Sequence, residues 1–201
     1  MAAPQPPPTL FVLAGPNGAG KTTFYRLRLA GKVDAEFVNA DELALKTYGH
    51  VAGTIEESAE GQRLADLRRR ELMEAGDDLV VETTFSHPSK LELLQTAHKL
   101  GYRIFVYHLN VEDADMAVSR VAGRVRQGGH PAPEDRIRAR YERNQPLIRQ
   151  AVLTADRAEV LDSSGRGRAP RLLIDFIGGK AIEVADDLPD WAINLYGGDL
   201  P

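Results

Sequence analysis

Apolar residues are grouped in short runs along the chain, and longer segments of mixed polarity separate the runs. The first run, TLFVLA over residues 9–14, is almost continuously apolar. Such a run is typical of a strand that is covered on both faces, as in a parallel sheet. Further runs predict strands at residues 36–40, 78–84, 102–109 and 158–164. The pattern therefore predicts about five strands.

The segments between these runs carry the end signals of helices. They cover residues 22–30, 54–75, 88–100, 112–127 and 133–153. Gly76 ends the second segment and Pro88 opens the third, which are positions where these residue types are common. Strands that alternate with helices predict an α/β fold with a mainly parallel sheet, whose ligands bind beyond the carboxyl ends of the strands.

The two ends of the chain have patterns of their own. Residues 1–8 are rich in proline and predict a disordered lead-in, so that residues 9–201 form one domain. Residues 171–185 predict a C-terminal hairpin that turns at Gly178 and Gly179. The tail beyond the hairpin contains the only tryptophan, Trp191, which we expect to pack against the domain.

Composition limits the classes of partner. The net charge is −4 over 201 residues, which argues against a general binder of nucleic acid or of anionic membranes. The sequence has no cysteine, so disulfides and thiolate metal sites are excluded. No apolar run reaches the roughly 18 residues that a membrane span requires, and no signal-peptide pattern precedes the first strand. We therefore expect a cytoplasmic protein.

The turn after the first strand contains the strongest motif. Gly15, Gly20, Lys21 and Thr22 match the pattern G-x-x-x-x-G-K-[ST] between a strand and a helix. Backbone N–H groups of such a loop bind phosphate oxygens, the lysine binds the β- and γ-phosphates, and the hydroxyl of Thr22 binds Mg²⁺. The predicted nucleotide-binding residues are Gly15, Pro16, Asn17, Gly18, Ala19, Gly20, Lys21, Thr22 and Thr23. The alternative is a flexible turn that matches the motif by chance.

Two acidic residues lie where a phosphate acceptor would bind. Asp41 follows the second strand, close to Asn39, and it could take the proton of an acceptor hydroxyl during phosphoryl transfer. Its alternative role is to cap the helix that starts there, since aspartate is a favoured N-cap residue. Glu82 ends the third strand, where a carboxylate is expected to bind ligand, water or metal.

Arginines mark the segment at residues 112–153, which we predict to be a helical lid. Arg120 and Arg124 share one helix face, and Arg126 and His130 lie at or in the loop that follows. Arginines of a mobile lid neutralise charge on a phosphoryl group in transfer, with Gly128 and Gly129 as the hinge. A solvated basic helix face is the alternative. Three further arginines, Arg136, Arg140 and Arg143, can pair with acids of their own helix, and we interpret them as structural.

Taken together, the motifs AGPNGAGKTT, NADE, ETTFS and RVAGRVRQGGHPAPEDRIRAR resemble those of the zeta-toxin group of P-loop kinases. The resemblance extends from about Thr9 to Tyr141. It implies a three-layer P-loop NTPase/kinase fold with a helical lid. It also implies ATP and Mg²⁺ as cofactors and a UDP-N-acetylglucosamine-like nucleotide sugar or related metabolite as the small-molecule substrate.

The resemblance also assigns roles by position. It makes Asp41 the catalytic base, Lys21 the phosphate-binding lysine, and Glu82 and Thr84 the substrate-binding pair. Zeta toxins are blocked by a small helical antitoxin, so such a partner is implied here as well. One position departs from the pattern, since Ser86 stands where many members have arginine.

Two alternatives remain open at this point. A kinase that acts on nucleic-acid ends could carry the same motifs, although the acidic composition and an aromatic content of 6% argue against it. A regulatory protein that binds nucleotide without catalysis is the other, and in it Asp41 would act only as a helix cap. The sequence contains no N-K-x-D guanine motif, which favours ATP over GTP.

Overall fold

The computed structural model describes residues 6–129 and 132–201, and its centre is a twisted sheet of seven strands. The spatial order is β2-β3-β1-β4-β5-β6-β7. The strands are β1 (Thr9–Ala14), β2 (Glu36–Val38), β3 (Leu79–Thr83), β4 (Arg103–Asn110), β5 (Arg157–Asp162), β6 (Arg171–Ile177) and β7 (Lys180–Val184). The first five are parallel, which confirms the five predicted strands.

The predicted C-terminal hairpin adds two strands to this sheet. It turns at Gly178 and Gly179, which both have positive φ angles, and β6 pairs antiparallel with β5. The sheet is therefore larger than the five strands counted from the sequence, because the hairpin extends it at its edge. Pro8, at the end of the predicted lead-in, accepts a hydrogen bond from the N–H of Arg103. Residues 1–5 lie outside the described part of the chain.

Seven helices connect or flank the strands in the described residues. They are α1 (Lys21–Phe24), α2 (Ala40–Tyr48), α3 (Ile55–Ala75), α4 (Ser89–Lys99), α5 (Ala114–Val125), α6 (Glu134–Thr154) and α7 (Asp190–Tyr196). The start of α3 has a capping box between Thr54 and Glu57, and Gly76 ends it at φ 75°. The helix predicted at residues 22–30 is different, since α1 stops at Phe24 and a wider π-helical turn continues to Leu29.

Two apolar layers cover the two faces of the sheet. Leu10 and Val12 of β1 face one layer and Leu13 faces the other, as the alternation of side chains in a strand requires. The first layer includes residues of α3, α4, α6 and α7, and the second includes residues of α1 and α5. The molecule is thus a three-layer α/β structure. No helix within the described residues is long and apolar enough to cross a membrane.

Helix α7 closes the first layer and covers a buried histidine. His108 of β4 is fully buried, and its Nδ1 lies 2.8 Å from the hydroxyl oxygen of Tyr196. Trp191 packs edge-on against the same imidazole, as expected for a tail that contacts the domain. Burial lowers the pKa of His108 to about 3, so the ring is neutral at ordinary pH.

The strand order places the predicted site residues side by side. Since β1 lies between β3 and β4, and β3 lies between β1 and β2, three neighbouring strands end beneath one region of the surface. The glycine-rich turn follows β1, Asn39 and Asp41 follow β2, and Glu82 lies near the end of β3. The carboxyl ends of parallel strands all meet at this edge, which is where such sheets bind ligands.

Candidate functional site

Close backbone contacts explain the first two glycines of the turn after β1. A Cβ atom on Gly15 would lie 1.9 Å from the carbonyl oxygen of Leu109, and the φ of Gly15 is 152°. A Cβ on Gly18 would lie 2.9 Å from the carbonyl oxygen of Ala117. Glycine therefore lets the turn lie directly against β4 and α5. Gly20, at φ 81°, precedes α1, so the N–H groups of the helix start point into the turn.

Lys21 is buried within the same turn. Its side chain is 6% exposed, and its Nζ donates hydrogen bonds of 3.0 Å to the carbonyl oxygens of Gly15 and Pro16. Its Nζ also lies 4.0 Å from Oε1 of Glu82. Burial lowers the pKa of Lys21, and the negative charge of Glu82 is the largest influence in the opposite direction. The ammonium group is therefore held beside a carboxylate in a mostly dry position.

Glu82 connects all three strand ends. Its Oε2 accepts a hydrogen bond of 2.8 Å from the hydroxyl of Thr22 and one of 3.0 Å from the side-chain amide of Asn39. Thr22 belongs to the turn after β1 and Asn39 to the end of β2. The structure thus brings these predicted site residues, with Lys21, into one cluster.

Asn39, and not Asp41, caps helix α2. Its Oδ1 accepts hydrogen bonds from the backbone N–H groups of Asp41 (2.8 Å) and Glu42 (3.1 Å). The interpretation of Asp41 as the cap is wrong, because the cap is the extended residue that directly follows β2, two positions earlier. Asp41 lies in the first turn with an exposed side chain, and its charge raises the pKa of Lys21. Asp41 therefore lies near the lysine, at the edge of the sheet where the parallel strands end.

The turn after β3 has an unusual backbone. Phe85 has a φ of 54°, and it is the one non-glycine residue with positive φ among the described residues. Its N–H donates to Oγ1 of Thr83, and its ring is buried. Oγ1 of Thr84 lies 3.3 Å from Oγ of Ser86, and the carbonyl of Thr84 accepts a hydrogen bond from Asn144 of α6. Two hydroxyl groups are thereby presented side by side next to Glu82.

Arg120 is hydrogen-bonded to backbone carbonyl groups. Its guanidinium donates to the carbonyl oxygens of Gly18 (3.4 Å), Ser163 (2.6 Å) and Ser164 (2.9 Å). Burial lowers its pKa, and the charge of Asp162 opposes this. Arg120 thus joins the glycine-rich turn to the loop that follows β5.

Arg124 and Arg140 both act electrostatically on the buried lysine. The positive charges of both arginines lower the pKa of Lys21. Arg140 is half-buried, and Asp41 is the carboxylate that raises its pKa against the effect of burial and of the neighbouring Arg136. The charge of Arg140 therefore reaches the cluster, in contrast to the expectation that Arg140 is a structural residue of its helix.

Arg140 has no acid at helical spacing on its own helix, so the expected ion pair within α6 cannot form. The positions three and four residues away hold Arg136, Ile137, Arg143 and Asn144, so no acid of its own helix is spaced to pair with it. By contrast, Arg138 pairs with Glu134 at 2.8 Å on the same helix. Arg136 and Arg143 likewise have no acid three or four residues away, so this spacing does not single out Arg140.

The loop between α5 and α6 contains the other predicted lid residues. Arg126 ends α5 and its N–H donates to the carbonyl of Ala122. Gly128 has a φ of 83°, and a Cβ on Gly129 would lie 2.4 Å from Cγ of Arg124. The positive φ of Gly128 allows the chain to turn here, and the missing side chain of Gly129 lets the backbone lie against Arg124. His130 lies outside the described residues.

The cluster offers two ligands of the kind that Mg²⁺ accepts. The hydroxyl of Thr22 and the carboxylate of Glu82 are hydrogen-bonded to each other at 2.8 Å. Within residues 6–129 and 132–201, no three side chains of histidine, aspartate or glutamate form a metal-binding group. Mg²⁺ is usually held by one or two protein ligands together with substrate phosphates and water, and this pair fits that pattern.

Comparison with known proteins agrees with this architecture. A family model described as an AAA domain matches residues 10–147. The sequence matches none of the curated proteins. Among solved structures, the AvrRxo1-ORF1:AvrRxo1-ORF2 complex with sulphate ions is similar with a TM-score of 0.67 and 18% identity over 96% of this chain. This chain spans 63% of the matched chain in that complex.

Two further structures are similar. The PezAT chromosomal toxin-antitoxin system of Streptococcus pneumoniae matches with a TM-score of 0.64 and 16% identity, over 98% of this chain and 81% of the other. The Pnkp1/Rnl/Hen1 RNA repair complex matches with a TM-score of 0.58 and 19% identity, over 71% of this chain and 46% of the matched chain. At such identities the likeness concerns the fold. The fold is a three-layer P-loop kinase fold with a mostly parallel sheet and an antiparallel hairpin at its end.

Proposed function

Because the chain belongs to the AAA domain family and has a P-loop kinase fold, we propose that it transfers the γ-phosphate of ATP to a hydroxyl group of a small molecule. One observation carries this proposal. Thr22 of the phosphate-binding turn and Asn39 at the end of β2 both donate to the same oxygen of Glu82. The turn that would bind the triphosphate and the strand end that leads to Asp41 therefore meet at Glu82, and the space beside them is the proposed binding cleft.

The nucleotide side of the cleft would consist of residues 15–23. The N–H groups at the start of α1 and the glycine-rich turn would bind phosphate oxygens, and Lys21 would exchange its carbonyl partners for the β- and γ-phosphates. Thr22 and Glu82 would hold Mg²⁺, directly or through water. When bound, that ion would offset the negative charge of the phosphates.

The chemical step would use Asp41 and the cations around it. A new bond forms between the acceptor oxygen and the γ-phosphorus, the bond from that phosphorus to the β–γ bridging oxygen breaks, and ADP leaves. Asp41 would accept the hydroxyl proton as the new bond forms. Arg124 and Arg140 would neutralise the equatorial oxygens of the transferred group, because their charges already act on Lys21. Arg120 is proposed to support the glycine-rich turn through its hydrogen bonds to the carbonyl groups of that turn and of the loop after β5.

The acceptor would bind on the β3 side of the cleft. Glu82, Thr84 and Asn39 are proposed to contact it, together with Arg126 and His130 of the lid. The hydroxyl pair of Thr84 and Ser86 suits a polyhydroxylated acceptor, because each hydroxyl can both donate and accept. A UDP-N-acetylglucosamine-like nucleotide sugar or a related metabolite is the acceptor class that we propose.

A small protein partner is part of the proposal. One similar structure is described as a toxin-antitoxin system, and another contains a second open-reading-frame product. We propose that a small helical antitoxin covers the nucleotide side of this cleft.

The direct test is incubation with γ-labelled ATP, Mg²⁺ and a panel of UDP-sugars, followed by mass analysis for an added phosphate. We expect a phosphorylated sugar with the unmodified protein and none with Lys21→Met, which serves as the control for contaminating kinases. An oligonucleotide with a free 5′-hydroxyl belongs in the panel, since an RNA repair complex is among the similar structures. Label on the oligonucleotide alone, with a steep salt dependence, would contradict the small-molecule acceptor. ATP binding without transfer to any compound would contradict the kinase proposal.

A further inference from the structure

A single buried side chain joins helix α6 to the turn that follows β3. Asn144 is fully buried, and its Nδ2 donates a hydrogen bond of 3.1 Å to the carbonyl oxygen of Thr84. Its Oδ1 is also buried, and it has no hydrogen-bond partner in the described part of the chain. An unpaired buried oxygen is unfavourable, so packing alone would favour an apolar residue here. The hydrogen bond that Nδ2 donates to Thr84 therefore explains why a polar side chain occupies this buried position.

The turn that Asn144 holds is strained. Phe85 follows Thr84 directly and has a φ of 54°, a conformation that bulky side chains rarely adopt. Such a backbone persists only where the surroundings determine it. The surroundings here are the hydrogen bond from Phe85 N–H to Thr83 Oγ1, the burial of the Phe85 ring, and the hydrogen bond from Asn144.

The same helix carries Arg140 one turn earlier. Residues four apart lie on the same face of a helix, about 6 Å apart along its axis. The charge of Arg140 lowers the pKa of Lys21, and the charge of Asp41 raises the pKa of Arg140, so Arg140 lies near both. Arg140 thus extends from the part of α6 that the Asn144 hydrogen bond attaches to the turn.

We infer that Asn144 is a positioning residue: by fixing α6 to the carbonyl of Thr84, it sets Arg140 opposite Lys21 and Asp41 and holds the acceptor turn in its strained form. The inference rests on the proposed kinase function and deepens it. It joins the acceptor side of the site to the arginine that acts on the transferred phosphate. The amide of Asn144 donates to the protein backbone, so its proposed role is positioning and not catalysis.

The test is a double-mutant cycle between Asn144 and Arg140. Asn144→Asp removes the donor at nearly unchanged shape, and Asn144→Leu removes it without adding a buried charge. We expect either change to lower kcat roughly tenfold to a hundredfold and to raise KM for the acceptor, with KM for ATP within about twofold. In an Arg140→Ala background the same changes should have little further effect on kcat, because Asn144 acts through Arg140. Asn194→Asp on the exposed face of α7 is the matched control, with unchanged kinetics.

Additive losses in the cycle, or an unchanged kcat in both Asn144 variants, would overturn the inference. Hydrogen exchange distinguishes it from a failure of the proposed function. Peptides that cover residues 82–90 should exchange faster in both Asn144 variants than in Asn194→Asp. If the unmodified protein transfers phosphate to no acceptor, the kinase proposal fails. In that case the exchange rates of residues 82–90 test the attachment of α6 to the turn by themselves. Faster exchange in the Asn144 variants than in Asn194→Asp would support the attachment, and equal exchange would refute it.

Discussion

Replacement of Asp41 by asparagine separates the catalytic role of this residue from its effect on the helix. The change removes one negative charge at nearly constant shape. Asn39 caps α2, and the N–H of Asp41 donates to its Oδ1, so the cap survives the substitution. We expect the folded structure of the cleft to be retained.

The magnitude of the stability change follows from the position of Asp41. It lies in the first turn of α2 with an exposed side chain, where a carboxylate gains about 0.3–1 kcal/mol from the helix dipole. For a domain of this size, a loss of that amount lowers Tm by about 1–4 °C. The loss of a proton acceptor in phosphoryl transfer should by contrast lower kcat about 10²- to 10⁴-fold.

Glu42→Gln is the matched control in the same helical turn. Its partner Arg26 lies 3.9 Å away and both side chains are well exposed, so this ion pair contributes little to stability. Both variants should therefore show similar small decreases in Tm by calorimetry and similar ATP affinities by titration. Only Asp41→Asn should lose transfer of label from γ-labelled ATP to the acceptor. A kcat for Asp41→Asn within about threefold of that of Glu42→Gln would refute the assignment of Asp41 as the base.

Three further predictions concern nucleotide binding, the pH dependence of stability, and the stability of the buried His108–Tyr196 pair. Gly15→Ala should abolish nucleotide binding, because its Cβ would lie 1.9 Å from the carbonyl oxygen of Leu109. A Cβ on Gly20 would meet no atom within 4 Å, so Gly20→Ala should cost only about 1 kcal/mol from its positive φ. Equal losses of nucleotide affinity in the two variants, measured by titration, would contradict this. The pKa of His108 is lowered from 6.5 to about 3, so the unfolded chain takes up the proton first. The free energy of unfolding should therefore fall by about 1.4 kcal/mol per pH unit from pH 6.5 towards 3. His108→Gln should remove this contribution, which urea titrations at several pH values measure as a smaller slope in the variant than in the unmodified protein; equal slopes would contradict it. Tyr196→Phe should cost about 1–2 kcal/mol by loss of the hydrogen bond to His108, without change in kcat; an altered kcat would show that the pair serves the site.

Local patterns were sufficient to predict the first five strands and the glycine-rich turn between β1 and α1. The apolar run at residues 9–14 and the glycine spacing after it each depend on a few consecutive residues. The same holds for α3, which was predicted at residues 54–75 with Gly76 as its stop and is found at Ile55–Ala75, ended by Gly76. In these segments local preference and tertiary packing agree, and that is the condition under which sequence reasoning succeeds.

The features that sequence reasoning missed depend on contacts between distant segments. Phe85 has no local reason to adopt a positive φ, and it does so in a turn that is held from α6. The approach of Arg140 to Asp41 depends on the path of α6 across the sheet, which the spacing within the helix does not determine. The choice of Asn39 over Asp41 as the cap depends on where β2 ends, and strand ends are the least certain part of a sequence-based assignment.

The electrostatics of the cleft differ in sign from those of the whole chain. Lys21 is influenced by two arginines, Arg124 and Arg140, and by two carboxylates, Asp41 and Glu82. Three cations against two carboxylates leave one positive charge in excess at this point, while the chain as a whole carries −4. In a partly buried cleft these charges are screened less than those on the surface, so the local excess determines which ligand is attracted. The composition of the whole chain argues against a long polyanion as partner, and it is equally compatible with a compact anion such as a nucleoside triphosphate.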